Sequence, residues 1–258
     1  MNPYYETELG KLYHGDCLEI MPELEPVDMI LCDLPYGTTA CKWDTVIYFE
    51  PLWAQYNRLI KNNGAIVLTA GQPFTSALVM SNIAQFKYEW IWEKDKPTNF
   101  ALANKQPMKY HENICVFYTN LPVYNKQMIR RTGGGEQRCK TSVDHSNRKI
   151  HGQDIKYTNG LSFYNEIYKN PSSVLYFNTG RRQDTIHPTQ KPVAMFEYLI
   201  KTYTNKENTV MDNCIGSGTT AIACERLKRR WIGIEIEEKY CEIAAKRIEL
   251  ERKQRKLF

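Results

Sequence analysis

The chain of 258 residues carries 34 Lys and Arg against 29 Asp and Glu, a formal net charge of +5. That length suits one large α/β domain or two small ones, and hydrophobic and charged fractions of 42% and 24% exclude intrinsic disorder over most of it. No stretch approaches the roughly 20 apolar residues of a membrane span, and the N-terminus lacks a basic stretch leading into an apolar run; neither a membrane partner nor a secretory signal is expected, and a cytoplasmic location is.

In chain order, residues 27–32 form a short apolar run ending at Asp33, as in a buried parallel strand. A helix is expected from Pro51 to Lys61, where Leu52, Tyr56, Leu59 and Ile60 share a face, then a strand over 64–70 and a helix from Thr75 to Ile83. Residues 88–93 and 113–118, rich in β-branched and aromatic side chains, read as paired strands. From 121 to 186 no sustained helical or alternating pattern appears. A helix follows from Pro192 to Thr202, then a strand over 209–212, a helix over 219–227, a strand over 230–235 and a long helix from Glu238 to about Lys256. This alternation specifies an α/β fold: a Rossmann-like, doubly wound, mostly parallel sheet with a loop-rich basic insertion.

The charge sits in that insertion. Residues 121–186 hold eleven Lys and Arg against five Asp and Glu, so the rest of the chain is close to neutral. Five tyrosines are interleaved with them. A solvated basic loop is one reading; an arm that tracks phosphates and contacts bases is the other. The eight cysteines include no pair with the spacing of a zinc knuckle or redox motif. Reduced, mostly buried thiols are expected, with no metal site.

Two motifs carry chemistry. Asp212 ends a strand, Gly216 and Gly218 follow one residue apart, and Thr219 opens a helix. Glycines at such a turn let a ligand approach the main chain, and the helix start favours an anionic group. The next strand ends at Glu235, where a carboxylate can accept from both ribose hydroxyls of an adenosine cofactor. Ala221 stands where a dinucleotide fingerprint has its third glycine, a change that fingerprint tolerates, so a dehydrogenase stays open; the Walker pattern is absent. The second motif is Asp33-Leu34-Pro35-Tyr36, at a strand end where ligands sit in open α/β sheets. Taken alone it reads as a turn, with Asp33 a cap and Tyr36 a packing residue.

Together these motifs resemble those of the β-class DNA amino-methyltransferases, whose catalytic motif is Asp/Asn/Ser-Pro-Pro-Tyr/Phe and whose cofactor loop is commonly Asp-Pro-Phe-x-Gly-x-Gly. The order here, catalytic motif first, then a variable basic region, then the cofactor loop, resembles the circularly permuted sheet of that class. His187-Pro-Thr-Gln-Lys191-Pro192 resembles the segment ahead of the cofactor loop, residues 230–240 the strand with the ribose-binding acid, and Gly15-Asp16-Cys17 the segment near the cofactor adenine. His187 itself reads as structural.

The resemblance implies a catalytic half over 1–120, a target-recognition insertion over 121–186 and a cofactor-binding half over 187–258. It implies S-adenosylmethionine held by Asp16, Cys17, Lys191, Asp212, Gly216, Gly218, Thr219 and Glu235. The Asp33 carboxylate and a main-chain carbonyl at Leu34 or Pro35 would accept the hydrogens of an exocyclic amino group, and Tyr36 would stack on the flipped base. Arg130, Arg131, Lys140 and Arg148 would bind double-stranded DNA. Adenine N6 is favoured as the target, because Asp forms of the motif mostly act on adenine and Ser forms on cytosine. Cytosine N4, an RNA substrate and a catalytically inactive DNA-binding adaptor are the alternatives. A homodimer and a cognate restriction enzyme stay open as partners. Two departures stand out: Leu34 replaces the first proline of the catalytic motif, and Asn213-Cys214 replaces the Pro-Phe of the cofactor loop.

Overall fold

The computed structural model describes residues 2–38, 44–130, 149–150, 153–154, 168–179 and 190–255. Arg131, Lys140, Arg148 and His187 lie outside the described residues. The chain divides into two units, Met1–Asn125 with Ser172–Phe258, and Lys126–Pro171.

The larger unit begins with β1 (Tyr5–Glu6), β2 (Gly10–His14), α1 (Cys17–Ile20), β3 (Val27–Asp33) and α2 (Phe49–Leu59). It continues through β4 (Ile60–Ala70), α3 (Phe74–Ser81), β5 (Phe86–Thr98) and β6 (Lys109–Phe117). In the smaller unit β7 (Ile129–Arg130) and β8 (Lys149–Ile150) come first, then β9 (Gln153–Asp154) and β10 (Tyr168–Lys169); β7 pairs antiparallel with β10, and β8 with β9. The larger unit resumes with β11 (Val174–Phe177), α4 (Val193–Tyr203), β12 (Thr209–Asp212), α5 (Thr219–Leu227), β13 (Arg230–Glu235) and α6 (Glu238–Arg255). Its nine strands form one sheet in the order β1-β2-β13-β12-β3-β4-β6-β5-β11. From β2 to β4 every pairing is parallel, and β6 runs antiparallel between β4 and β5.

β3 shows why the sheet is covered on both faces. Every residue of Val27–Asp33 is buried except the two acids, Asp28 and Asp33. Successive side chains of a strand point to opposite faces. Met29 and Leu31 accordingly join a cluster with Met195, Phe196 and Leu199 of α4, Ile222 of α5 and Ala244 of α6. Ile30 and Cys32 join a second cluster with Leu52 and Tyr56 of α2 and Leu78 of α3. The result is a helix–sheet–helix sandwich, as the alternating pattern required. Among the described residues no helix is long and apolar enough to cross a membrane.

The stretch 121–186 is not wholly patternless. Val174–Phe177 is an edge strand of the main sheet, parallel to β5, with Leu175 buried opposite Trp92 while Val174 and Tyr176 are exposed. Four residues with one inward side chain are too few to display a period. The N-terminal strands also escaped the sequence reading, because β2 holds only two buried side chains, Leu12 and Tyr13, beside its Lys and His.

One contact in β2 is tight. A Cβ placed on Gly10 would lie 2.3 to 2.4 Å from Trp231 Cδ2 and Cε2 and from the Trp231 carbonyl oxygen. Trp231 is buried in β13, and its Nε1–H donates to Glu225 at 3.0 Å, so the ring has no free direction in which to retreat. Gly10→Ala should therefore cost about 3 kcal/mol, the upper part of the usual overpacking range. Urea unfolding midpoints of the two proteins check this; an unchanged midpoint would show that the ring does move.

Candidate functional site

β12 and β3 are neighbours and parallel, yet the chain leaves them in opposite directions across the sheet. From β12 it crosses to β13 on one side, and from β3 to β4 on the other. Such a reversal opens a crevice at the carboxyl ends of the strands, which is where open α/β sheets bind ligands. Asp212 ends β12 and Asp33 ends β3, so two carboxylates far apart in sequence arrive at one crevice.

On the β12 side, Asp212 is almost fully buried. Its Oδ2 accepts a hydrogen bond from the Thr220 hydroxyl, and its Oδ1 accepts the Cys214 N–H at 3.1 Å. Burial nevertheless dominates and pushes its carboxyl up to about 7. Gly216 and Gly218 both have positive φ, 53° and 85°. Their roles differ. A Cβ on Gly218 would meet Ala244 of α6 at 3.0 Å, so this glycine lets α6 close on the loop. A Cβ on Gly216 would meet nothing nearer than the Cys214 carbonyl oxygen at 4.0 Å, so its main chain is open to an approaching group.

Glu235, at the end of β13, ties this loop down. Its Oε2 accepts the Gly216 N–H at 2.8 Å and its Oε1 the Glu237 N–H at 2.9 Å. Each oxygen keeps a second lone pair for a hydroxyl donor. Burial pushes the Glu235 carboxyl up. β2 lies beside β13 with His14 opposite Glu235, which brings Asp16 to the same edge. Asp16 caps α1 through its Oδ1, which accepts the Leu18 N–H at 2.7 Å, and the residue is otherwise exposed. Thr219 opens α5 and is buried. Cys17 is buried too; its Sγ lies 3.6 Å from Asn213 Nδ2.

Asn213 gives the departure at 213–214 a structural reason. Its Oδ1 accepts the buried Tyr56 hydroxyl of α2 at 2.6 Å, so a polar bond anchors the loop where the resembled motif has proline. An open main chain at Gly216, two carboxylates on adjoining strand ends and a third acid whose charge a cationic ligand would favour together fit an adenosine-type cofactor carrying a positive charge.

On the β3 side, Leu34 is buried in the cluster beneath α2 and α3, so the departure at 34 is a packing residue whose carbonyl stays in the chain. Asp33 is engaged on both oxygens. Oδ1 accepts the Tyr36 hydroxyl at 2.8 Å and the Thr69 hydroxyl, and Oδ2 accepts Lys191 Nζ at 2.5 Å. The Tyr36 ring stacks on Phe74, centroids 5.0 Å apart and planes 24° apart, and Lys191 Nζ lies 5.6 Å from its centre. Burial and the Asp33 charge push the Tyr36 phenol well up, so it stays a donor.

Lys191 was grouped with the cofactor residues on sequence grounds. The structure sets its Nζ on Asp33, and 3.4 Å from Glu112 Oε2 of β6. Burial opposes its charge, but the Asp33 and Glu112 carboxylates outweigh burial and hold its pKa up. Glu112 Oε1 in turn accepts a hydrogen bond from Lys94 of β5. Thr69, Thr220, Glu112 and Lys94 were absent from the sequence reading. The two charges had a faint signal: Glu112 lies two residues before the apolar run 114–117 of β6, and Lys94 two residues after the Trp-Ile-Trp of β5. Among the four basic residues assigned to DNA, Arg130 is described, on β7, and is exposed.

A family model described as DNA methylase matches residues 27–246. The Type II methyltransferase M2.DpnII of Streptococcus pneumoniae is 45% identical, over 96% of this chain and 93% of its own length. Two solved structures share the fold. The M1.HpyAVI–SAM complex has a TM-score of 0.62 at 23% identity, covering 93% of this chain and 99% of its own. The PvuII DNA methyltransferase, titled cytosine-N4-specific, has a TM-score of 0.66 at 17% identity, covering 94% and 87%.

Asp212 makes stability depend on pH. The folded protein holds this proton up to about pH 7, whereas an ordinary aspartate releases it near 3.8. Between those values the folded state binds more protons than the unfolded state, so this contribution to stability falls as pH rises from about 4 to 7. The fall is on the order of 4 kcal/mol. Asp212→Asn cannot ionise and should show a shallower decline across denaturation curves between pH 4 and 8. Equal slopes in the two proteins would overturn the account.

Proposed function

Because the chain belongs to the DNA methylase family, whose members methylate exocyclic amino groups, we propose that it acts on the N6 nitrogen of adenine in double-stranded DNA with S-adenosylmethionine as donor. The observation that carries this reading is the convergence of Asp33-Leu34-Pro35-Tyr36 and the Asp212–Gly218 loop on one crevice. The cofactor supplies an electrophilic methyl group on a cationic sulfonium. Glu235 would accept hydroxyl donors on its ribose, Asp16 would lie near its adenine, Gly216 presents bare main chain, and the Asp212 carboxylate would meet its positive charge.

Adenine's amino nitrogen is a poor nucleophile because its lone pair is delocalised into the ring. Asp33 and the Leu34 or Pro35 carbonyl each accept one amino hydrogen, which localises the lone pair toward the methyl group. Positive charge develops on nitrogen during transfer, and Asp33 stabilises it. Holding the amine in line with the methyl group supplies much of the remaining acceleration. Tyr36, seated against Phe74, offers an aromatic surface to a base taken out of the duplex. The Asp form of the catalytic motif favours adenine, and the likeness to a cytosine-N4-specific fold keeps cytosine as the second reading. The cytoplasm is the proposed compartment. The segment 121–186 is the proposed target-recognition part of a methyltransferase domain formed by 1–120 and 187–258. A cognate restriction enzyme is the proposed functional companion, in keeping with the Type II name of the M2.DpnII relative.

Methylation of a mixed-sequence DNA followed by nucleoside digestion should yield N6-methyladenine and map the recognition site; N4-methylcytosine would replace adenine by cytosine. Asp33→Asn should lower kcat by about 10²–10³-fold while S-adenosylmethionine still binds. Undiminished transfer by that variant would sink the mechanism. Neutralising Arg130, Arg131, Lys140 and Arg148 together should weaken DNA binding and reduce the salt slope of log K by about 3 to 4. Cofactor affinity should hold; an unaltered slope would mean these four side chains lie away from the phosphates.

A further inference from the structure

In this structure Asp33 already accepts three hydrogen bonds, and one of its partners is an ammonium. Oδ1 takes two hydroxyls and Oδ2 takes Lys191 Nζ at 2.5 Å. An amino group that is to use Asp33 as an acceptor competes with them for the carboxylate, and at Oδ2 its competitor is Lys191. Tyr36 and Thr69 are neutral donors; Lys191 is a full charge with its Nζ buried, and it needs another anion if it leaves.

Glu112 is that anion. Its Oε1 is occupied by Lys94, a buried lysine whose Nζ also lies 5.0 Å from the centre of the Trp92 ring, and this bond fixes the direction of the carboxylate. Its Oε2 is buried and makes no hydrogen bond. That oxygen faces Lys191 Nζ at 3.4 Å, within ion-pair reach but off the direction of a hydrogen bond. One ammonium thus lies between two carboxylates, bonded to the first and within a short movement of the second. A buried carboxylate oxygen without a donor is costly unless something completes it.

We infer that Glu112 is a positioning residue: it is the second seat of the Lys191 ammonium, which moves from Asp33 Oδ2 to Glu112 Oε2 when the target amino group takes hold of Asp33. Lys191 is a latch that guards the catalytic carboxylate until a base with an amino hydrogen arrives. No proton is transferred in this exchange; one N–H···O⁻ bond is broken and two are made, one by Lys191 and one by the base. The arrangement ties entry of the base to its chemistry, because a base without the amino group has nothing with which to replace Lys191.

This inference rests on the amino-methyltransferase reading of Asp33, and it is tested by binding. Two duplexes carry the mapped recognition sequence with either adenine or purine, which lacks the 6-amino group, at the target position. Affinities are measured with S-adenosylhomocysteine present. Glu112→Gln keeps the shape and the Lys94 bond but removes the anionic seat. It should lower the adenine-to-purine affinity ratio by about tenfold and leave purine-duplex binding within about twofold. Lys191→Gln clears Asp33 and should raise that ratio, which gives a second reading should Glu112→Gln fold poorly. Equal losses on both duplexes would make Glu112 merely structural, and an unchanged ratio in both variants would also overturn the latch. If mapping finds methylcytosine, cytosine and its amino-free analogue replace the pair. Failure of the wild-type protein to methylate any DNA would instead overturn the functional reading itself.

Discussion

Two carboxylates end adjacent parallel strands at one sheet edge, and the site is organised around keeping both there. Asp212 and Asp33 close β12 and β3; burial, with an addition from the Asp33 charge, raises the cost of ionising Asp212. Their positions follow from the sheet order, so the conflict cannot be relieved by moving one of them. It is resolved differently on each side. Asp33 is matched by the Lys191 ammonium and two hydroxyls. Asp212 has no cation among its described partners and holds its proton to about pH 7 instead. One acid is therefore a ready acceptor, while the other becomes fully charged only where something positive joins it.

The same asymmetry explains why two lysines, Lys94 and Lys191, are buried. Lys191 alone would bring an uncompensated charge into the crevice when it releases Asp33. Glu112 offsets that charge, and Lys94 offsets Glu112, so the row Asp33, Lys191, Glu112, Lys94 alternates in sign. Removing one member would leave its neighbour charged and unpaired, a larger penalty than removing the whole row. Such a row is poor at adding stability, and its value lies in orienting a carboxylate.

Much of this was legible in the sequence. β3, β12, β13, α5 and α6 were read within a residue or two, because fully buried parallel strands are continuous apolar runs and their helices start at a marked turn. Asp212, Gly216, Gly218 and Glu235 stood out because each sits at a strand end or turn, whereas Asp33 and Tyr36 stood out only through the resemblance of their motif. What escaped depends on a partner far along the chain. Thr69 and Thr220 look like ordinary strand and helix threonines until β4 and α5 bring their hydroxyls to a carboxylate. Lys191 looks like a helix-start lysine, and its pairing with Asp33 spans 158 positions. Glu112 and Lys94 fall just outside the strands expected over 113–118 and 88–93, and one-dimensional polarity cannot show that two opposite charges lie against each other.

The two departures from the resembled motifs yield to the same distinction between what the chain must do locally and what the fold requires. At position 34 the proposed chemistry needs only a carbonyl, which leaves the side chain to packing, and Leu34 serves it in the core beneath α2 and α3. At position 213 the loop needs an anchor, and Asn213 obtains one from the Tyr56 hydroxyl at 2.6 Å instead of from a rigid ring. That bond also ties α2 to the end of β12, joining the helix after the catalytic motif to the start of the cofactor loop. The substitution of a hydrogen bond for proline thus makes the loop's position depend on α2, through a side-chain contact that a Pro-Phe sequence could not make.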